Sequence, residues 1–516
     1  MDNPPIIKPR SPVLARLLLS LAFVFVALFA LAALLWVIEN WRGQRAWEKC
    51  RRELAAKGEP VDWQSLLPPP VPDDQNLAFA PLLKPLFDYE RVAGRVEWRN
   101  TNELARLDRI NISLSAGGVQ SSRGGGGNDR GGAPRTPNLS TGEAIDLEAW
   151  QAFYRGNPSY PQPASPRSPA ADVLLALSKF DPELQELRAA AAARPMTRFP
   201  IHYQENFSCL LAHLARFKSI ASALQLRAAA ELEAGQAAEA FADLRLGFRL
   251  ADAPAGEPIL ISHLVRISLQ AILMVPLRDG LVRHQWTEEQ LVWFQDYFTS
   301  VNLLAEYQRC IRGELLFGIE GIELIGRGQG GDIAAEGGDF LASAGPWVPR
   351  GLLRQNQVAL SRFHQDYSLP AVDPQAHRFF PEIVRHTDTT FEKLKMMKMT
   401  PYNFLVKLLV PAVSKTSLKS ARQQALADCA ALACALERHR LATGQLPETL
   451  DALVPRFMAK LPPDVVTGQP LKYQRSAEGR VTLYSVGADG RDDGGLVVNA
   501  KGHERGGEPP EDWVWH

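Results

Sequence analysis

The sequence predicts a mainly α-helical protein. It has an N-terminal transmembrane helix, a helical central domain of hairpin type, and a small α+β C-terminal module with antiparallel strands. Three observations carry this. Leu17 to Ile38 is a run of 22 residues without a charge. Apolar residues recur at helical spacing through the middle of the chain, and the pattern turns to strand-like alternation after Gly444.

A chain of 516 residues exceeds one core, and two or three domains are expected. Its 57 Lys and Arg balance 57 Asp and Glu, so no global field draws nucleic acid or a strongly charged substrate. Five scattered cysteines (Cys50, Cys209, Cys310, Cys429 and Cys434), with no Cys-x-x-Cys pair, exclude a disulfide-dense scaffold.

After a tail over residues 1–16, the apolar run 17–38 matches the thickness of a bilayer's hydrocarbon core, and lipid is its expected partner. Trp36 and Trp41 stand where aromatic residues favour the interface. A cleaved signal peptide is the rival, because Ala30-Leu31-Ala32 imitates a cleavage site. The apolar run nevertheless continues through Leu34, Leu35, Val37 and Ile38, beyond what a signal core requires. Lys8, Arg10 and Arg16 precede the span, and Arg42, Arg45, Lys49, Arg51 and Arg52 follow it. That count alone favours a cytoplasmic body, whereas a short leading tail commonly stays inside. The expectation is a single-pass protein of the inner (cytoplasmic) membrane with its large domain outside the cytoplasm.

Residues 39–75 read as a juxtamembrane helix, ended by Gly58 and Pro60, and a spacer extended by Pro68 to Pro72. Residues 76–170 read as irregular and Gly/Pro-rich, with eight glycines between Gly117 and Pro134 and a short helix at Leu147–Tyr154. The helical domain follows over 171–411. Leu210, Leu214, Phe217, Ala221, Leu224 and Ala228 mark one helix, broken at Gly235, and Phe241, Leu244, Phe248 and Ala251 mark its antiparallel partner. This pair resembles a tetratricopeptide-type hairpin, but no second copy recurs at a fixed period. Ile259 to Gly280 is apolar almost all round. His263, Arg266 and Gln270 interrupt it, so it reads as a buried central helix rather than a second span. Helices are expected over Glu288–Phe298, Leu303–Ile325 and Leu352–Tyr367, with a Gly-rich loop from Gly326 to Gly338. The apolar run Phe404–Val413 is expected to pack on the helical body. The module 412–516 holds a helix over Ser417–Leu441, then strands at Leu471–Gln474 and Val481–Ser485, with Trp513–Trp515 adding another.

Familiar chemistry is mostly missing from the sequence. Gly326-x-Gly328-x-x-Gly331 fits the dinucleotide pattern by letter but follows a helix and opens no βαβ unit. No Walker A, Gly-x-Ser-x-Gly or His-Glu-x-x-His motif occurs. His364 with Asp366, and His377 with Glu382 and His386, are local clusters whose ordinary role is structural. His263 reads as a satisfied core histidine. No catalytic or cofactor-binding residue is assigned. Asp489 to Gly494 half-matches an EF-hand loop, but Arg491 takes a ligand position and Ala500 the final glutamate position, so that motif is rejected.

Ala435-Leu-Glu-Arg-His-Arg-Leu-Ala-Thr-Gly-Gln-Leu-Pro447, Leu450-Asp-Ala-Leu-Val-Pro455 and Leu483-Tyr-Ser-Val-Gly-Ala-Asp-Gly490 follow one another in order. Together they resemble the C-terminal module of the type II secretion major pseudopilins. The chain as a whole resembles a bacterial family of single-pass membrane proteins with no assigned activity. It departs from pseudopilins in lacking a Gly-Phe-type prepilin cleavage site with a glutamate five residues on. The resemblance implies calcium at Asp489, Asp492, Asp493 and Asp512, with backbone carbonyls near Ser485 and Val486. Calcium takes six to eight oxygens, which such a loop can offer; the plainer reading is a solvated acidic turn. The functional expectation is a membrane-tethered envelope protein with a structural or interaction role, an envelope protein as partner and no nucleic acid. The alternatives are an envelope hydrolase using His263, His377 or His386, and a component of a secretion or pilus-like assembly.

Overall fold

The computed structural model describes residues 12–92, 95–112, 133–135, 137, 139, 142–329, 343–396, 400–409, 414–476, 480–495 and 512–516. The tail up to residue 11, most of the glycine stretch at 117–134 and most of the loop at 326–338 lie outside them. In chain order the helices are α1 (Pro12–Ala56), α2 (Trp63–Leu66), α3 (Thr101–Asp108), α4 (Leu147–Arg155), α5 (Pro169–Leu177), α6 (Asp181–Ala193), α7 (Ala212–Glu233), α8 (Ala237–Ala251) and α9 (Leu260–Val282). Then come α10 (Glu288–Ser300), α11 (Leu303–Gly326), α12 (Arg350–Phe363), α13 (Pro381–Met396), α14 (Phe404–Leu409) and α15 (Ser414–Thr443). The strands are β1 (Tyr89–Val92), β2 (Arg95–Trp98), β3 (Val372–Asp373), β4 (Arg378–Phe379), β5 (Lys472–Arg475), β6 (Val481–Ser485) and β7 (Trp513–Trp515). The chain divides into two compact units, and one of the boundaries between them falls inside α11, between Leu316 and Phe317.

The first unit comprises Met1–Val61, Phe317–Phe363 and Leu394–Leu409. Its α1 is long and apolar enough to cross a bilayer, and its apolar window is wholly exposed. The helix does not stop where the apolar run ends. Trp47, Cys50 and Leu54, at spacings of three, four and seven, bury one face against Val358 of α12 and Ile319 of α11. Glycines let α1 and α12 touch backbone to backbone: a Cβ on Gly351 would lie 2.0 Å from the Glu39 carbonyl oxygen. The Gly351 N–H donates to Asn40 Oδ1 at 2.8 Å. Asn356 holds α14, accepting from Leu405 N at 3.1 Å and donating to the Pro401 carbonyl at 2.8 Å. Leu405 and Val406 are accordingly buried within the fold.

The second unit comprises Asp62–Leu316, His364–Lys393 and Val410–His516. Here α7 and α8 form the expected hairpin around Gly235, whose positive φ lets Gln236 N reach the Glu231 carbonyl at 2.7 Å. Helix α9 packs on both, and α15 packs on α9 and α10. The apolar window of α9 is also of membrane length, but 61% of it is buried, as a core helix requires. One apolar cluster runs from Leu260, Tyr307 and Ile311 through Ala421 and Ala425 to Val465 and Trp513. The C-terminal sheet has the order β5-β6-β7, antiparallel throughout, with Tyr473 opposite Leu483 and Tyr484 opposite Val514.

The described residues between 76 and 112 are more regular than their sequence suggests, containing the β1–β2 hairpin and α3. Strand β1 shows no inside–outside alternation, whereas β2 turns Val96 and Trp98 to its more buried face. Arg91 pins the hairpin from a distance, donating to Glu205 and to the Ser208 carbonyl, each at 2.6 Å.

Candidate functional site

The histidine of α9 is a core residue. His263 Nε2 lies 2.8 Å from Ser420 Oγ of α15, and Nδ1 lies 3.6 Å from Glu306 of α11. Glu306 also faces Arg266 at 3.2 Å, and Arg266 pairs with Asp252 at 2.7 Å. A serine, histidine and carboxylate in series resemble a nucleophilic relay. Yet Ser420 is wholly buried and donates to the Thr416 carbonyl of its own helix, at 2.9 Å. The trio ties α9, α11 and α15 together.

The other predicted histidines have separate partners. His377 sits at φ 55° in the β3–β4 turn, and its Nε2 lies 2.7 Å from Asp428 of α15. Burial works against its charged form, but the Asp428 carboxylate prevails and raises the pKa. His386 stacks on Tyr367, and His364 is buried beside Ser368 Oγ at 3.2 Å. Burial alone drives the His364 pKa down to about 4.

The acidic loop is brought together in part. Asp489 Oδ1 accepts from Arg491 N in its own turn. Asp492 accepts from Tyr484 OH at 2.9 Å and pairs with Lys472 at 3.0 Å. Asp512 is buried; one oxygen accepts from Gly495 N at 2.7 Å, and the other has no hydrogen-bond partner among the described residues. Asp493 likewise has one buried oxygen without a hydrogen-bond partner among the described residues. Burial raises the Asp512 pKa, and the neighbouring Asp493 and Asp492 add to the shift. Two orphan carboxylate oxygens in one acidic field suit a cation. Among the described residues, however, no three His, Cys, Asp or Glu side chains form a group that could hold a metal ion. Val486 N, near the expected carbonyl ligands, donates to the buried Asp464 at 3.1 Å.

A site absent from the sequence reading lies where α9 ends. A cavity of 790 Å³ is lined by Leu281, Leu436, Val481 and Trp515, with Arg283, His284, Glu437 and Arg480 among its polar groups. That volume suits a small molecule. Helix α9 closes with Gln285 N on the Gly280 carbonyl and His284 N on the Leu281 carbonyl, both at 3.0 Å. This closure demands a left-handed residue, a place usually taken by glycine, and His284 fills it at φ 55°. The strained backbone presents the imidazole to α15, where Nδ1 lies 3.0 Å from both Glu437 oxygens. Arg440 holds the same carboxylate at 2.7 Å. An exposed imidazole oriented through Nδ1 by a carboxylate has the geometry of a general base at Nε2.

Sequence reading missed this pair because 153 residues separate its members. The available signal is a helix ending in Arg-His-Gln where glycine or asparagine is usual. No protein-family model, curated protein or solved structure matches this chain.

Proposed function

We propose that this is a membrane-tethered protein of the bacterial envelope, held in the inner membrane by α1 with its mass outside the cytoplasm. Its work is structural or binding rather than chemical. The observation that supports this is the continuity of α1. The second half of the same helix, through Trp47, Cys50 and Leu54, is part of the core of the first unit. The apolar run thus continues without a break into the packed part of the fold, as an anchor that carries the first unit does. The orphan oxygens of Asp493 and Asp512 support calcium as a ligand of the C-terminal module. The test is the mass of the mature chain recovered from carbonate-washed membranes. Retention of the full 57.0 kDa is expected, and a chain shortened near Ala32 and released by carbonate refutes the anchor.

The His284–Glu437 pair favours a second reading, an envelope hydrolase with its site in the helical domain. Turnover of 4-nitrophenyl butyrate that disappears in His284→Gln supports it, and the same rate in both proteins removes it.

A further inference from the structure

Because the span and the first unit share one helix, the membrane boundary can be marked on the fold. The apolar run ends at Ile38, and Glu39 and Asn40 are the residues against which Gly351 packs. Helix α12 runs parallel to α1 from that point. Gly351 meets Glu39, Asn40 and Gly43, whereas Val358, two turns later, packs with Trp47, Cys50 and Leu54. The chain just before α12 therefore lies at the membrane end of the unit. That chain is Gly345-Pro-Trp-Val-Pro349.

Its geometry is fixed. Gly345 is buried so tightly that a Cβ there would lie 1.9 Å from the Ile325 carbonyl oxygen, and Pro346 and Pro349 restrict the backbone on either side of Trp347. Trp347 itself is 81% exposed, more than Phe23, the most exposed large residue of the span, at 75%. A rigid turn that displays an indole beside the end of a span matches the preference of tryptophan for the headgroup region. Trp36 and Trp41 of α1 flank the same boundary. Arg350 and Arg45 supply cations for lipid phosphates, with Arg45 stacked 4.8 Å from the Trp41 ring.

We propose that Trp347 inserts into the headgroup region of the bilayer, giving the first unit a second membrane contact that fixes its rotation about α1. The proposal rests on α1 being a membrane span, and the experiment separates the two claims. The full chain carrying Cys209→Ser, which removes the half-buried thiol, is reconstituted in vesicles of phosphatidylcholine and phosphatidylglycerol. The fluorophore NBD is attached at Trp347→Cys, Phe29→Cys or Lys57→Cys. Position 57 stands about 28 Å along the helix from Ile38. Expected is blue-shifted emission at 347, quenched by lipids brominated high on the acyl chain and protected from iodide. Position 29 should be quenched by lipid and position 57 by iodide alone. Behaviour at 347 like that at 57, with 29 still quenched by lipid, overturns the proposal and leaves the span intact. Iodide quenching at 29 overturns both.

Discussion

Two buried groups of the second unit respond to pH in opposite senses, so the wild-type profile conceals them both. His364 is 2% exposed, and burial lowers its pKa from 6.5 to about 4. Between those values the unfolded chain binds more protons. The contribution of His364 to stability is therefore complete above pH 6.5 and is lost as pH falls through 4. Glu231 on α7 is 3% exposed. Burial raises its pKa from 4.5 to about 7, although Arg227 stands 3.5 Å away and opposes the shift. Here the folded chain binds more protons, so the contribution is complete below pH 4.5 and is lost as pH rises through 7. At 1.36 kcal/mol per pKa unit each effect amounts to about 3 kcal/mol. Over the shared window near pH 4.5–6.5 the two nearly cancel. Urea unfolding of the reconstituted chain, followed by circular dichroism from pH 4.5 to 8, resolves them as differences from wild type. Glu231→Gln should gain about 3 kcal/mol on wild type as pH rises to 8. His364→Asn keeps a partner for Ser368 and carries a fixed packing cost. Its deficit should shrink by about 3 kcal/mol as pH falls towards 4.5. Curves that stay parallel to wild type across the range refute the burial argument for that residue, and slopes of reversed sign refute the assignment of charge states.

Gly351→Ala should loosen the first unit. Overpacking against the Glu39 carbonyl costs about 1–3 kcal/mol, more than the gain from removing a helical glycine. Maleimide labelling of buried Cys50 should accelerate about fivefold or more, and an unchanged rate contradicts the backbone contact. If calcium joins Asp493 to Asp512, millimolar calcium should raise the melting temperature of the full chain, and Asp512→Asn should abolish the rise. An equal rise in both proteins places calcium elsewhere, and no rise in wild type ends the calcium reading.

Helical spacing carried most of the architecture. The hairpin at Gly235, the buried α9 and the long α15 were legible because each has a local apolar period or a local breaker. So were β5 and β6, whose residues alternate around a turn. The β1–β2 hairpin was not, since β1 lacks alternation and Arg91 anchors it to residues 205 and 208. The pairing of α1 with α12 was equally hidden: Asn40 and Gly351 are 311 residues apart, and the glycines at their contact look like ordinary breakers. The site was less legible than the fold. Asp489, the residue that led the calcium expectation, caps its own turn, whereas the orphan oxygens belong to Asp493 and Asp512. His284 carried no motif at all. Its interest comes from a strained turn and a carboxylate on another helix.

The central claim is that α1 tethers a body lying outside the cytoplasm, and topology tests it most directly. Alkaline phosphatase, active only outside the cytoplasm, is fused through a flexible linker after His516, with a cytoplasm-active β-galactosidase fusion at the same site. Phosphatase activity in membrane-bound full-length chain, with β-galactosidase silent, is the predicted result. The reverse pattern would mean that Arg42, Arg45, Lys49, Arg51 and Arg52 hold the body inside, and it would contradict the account.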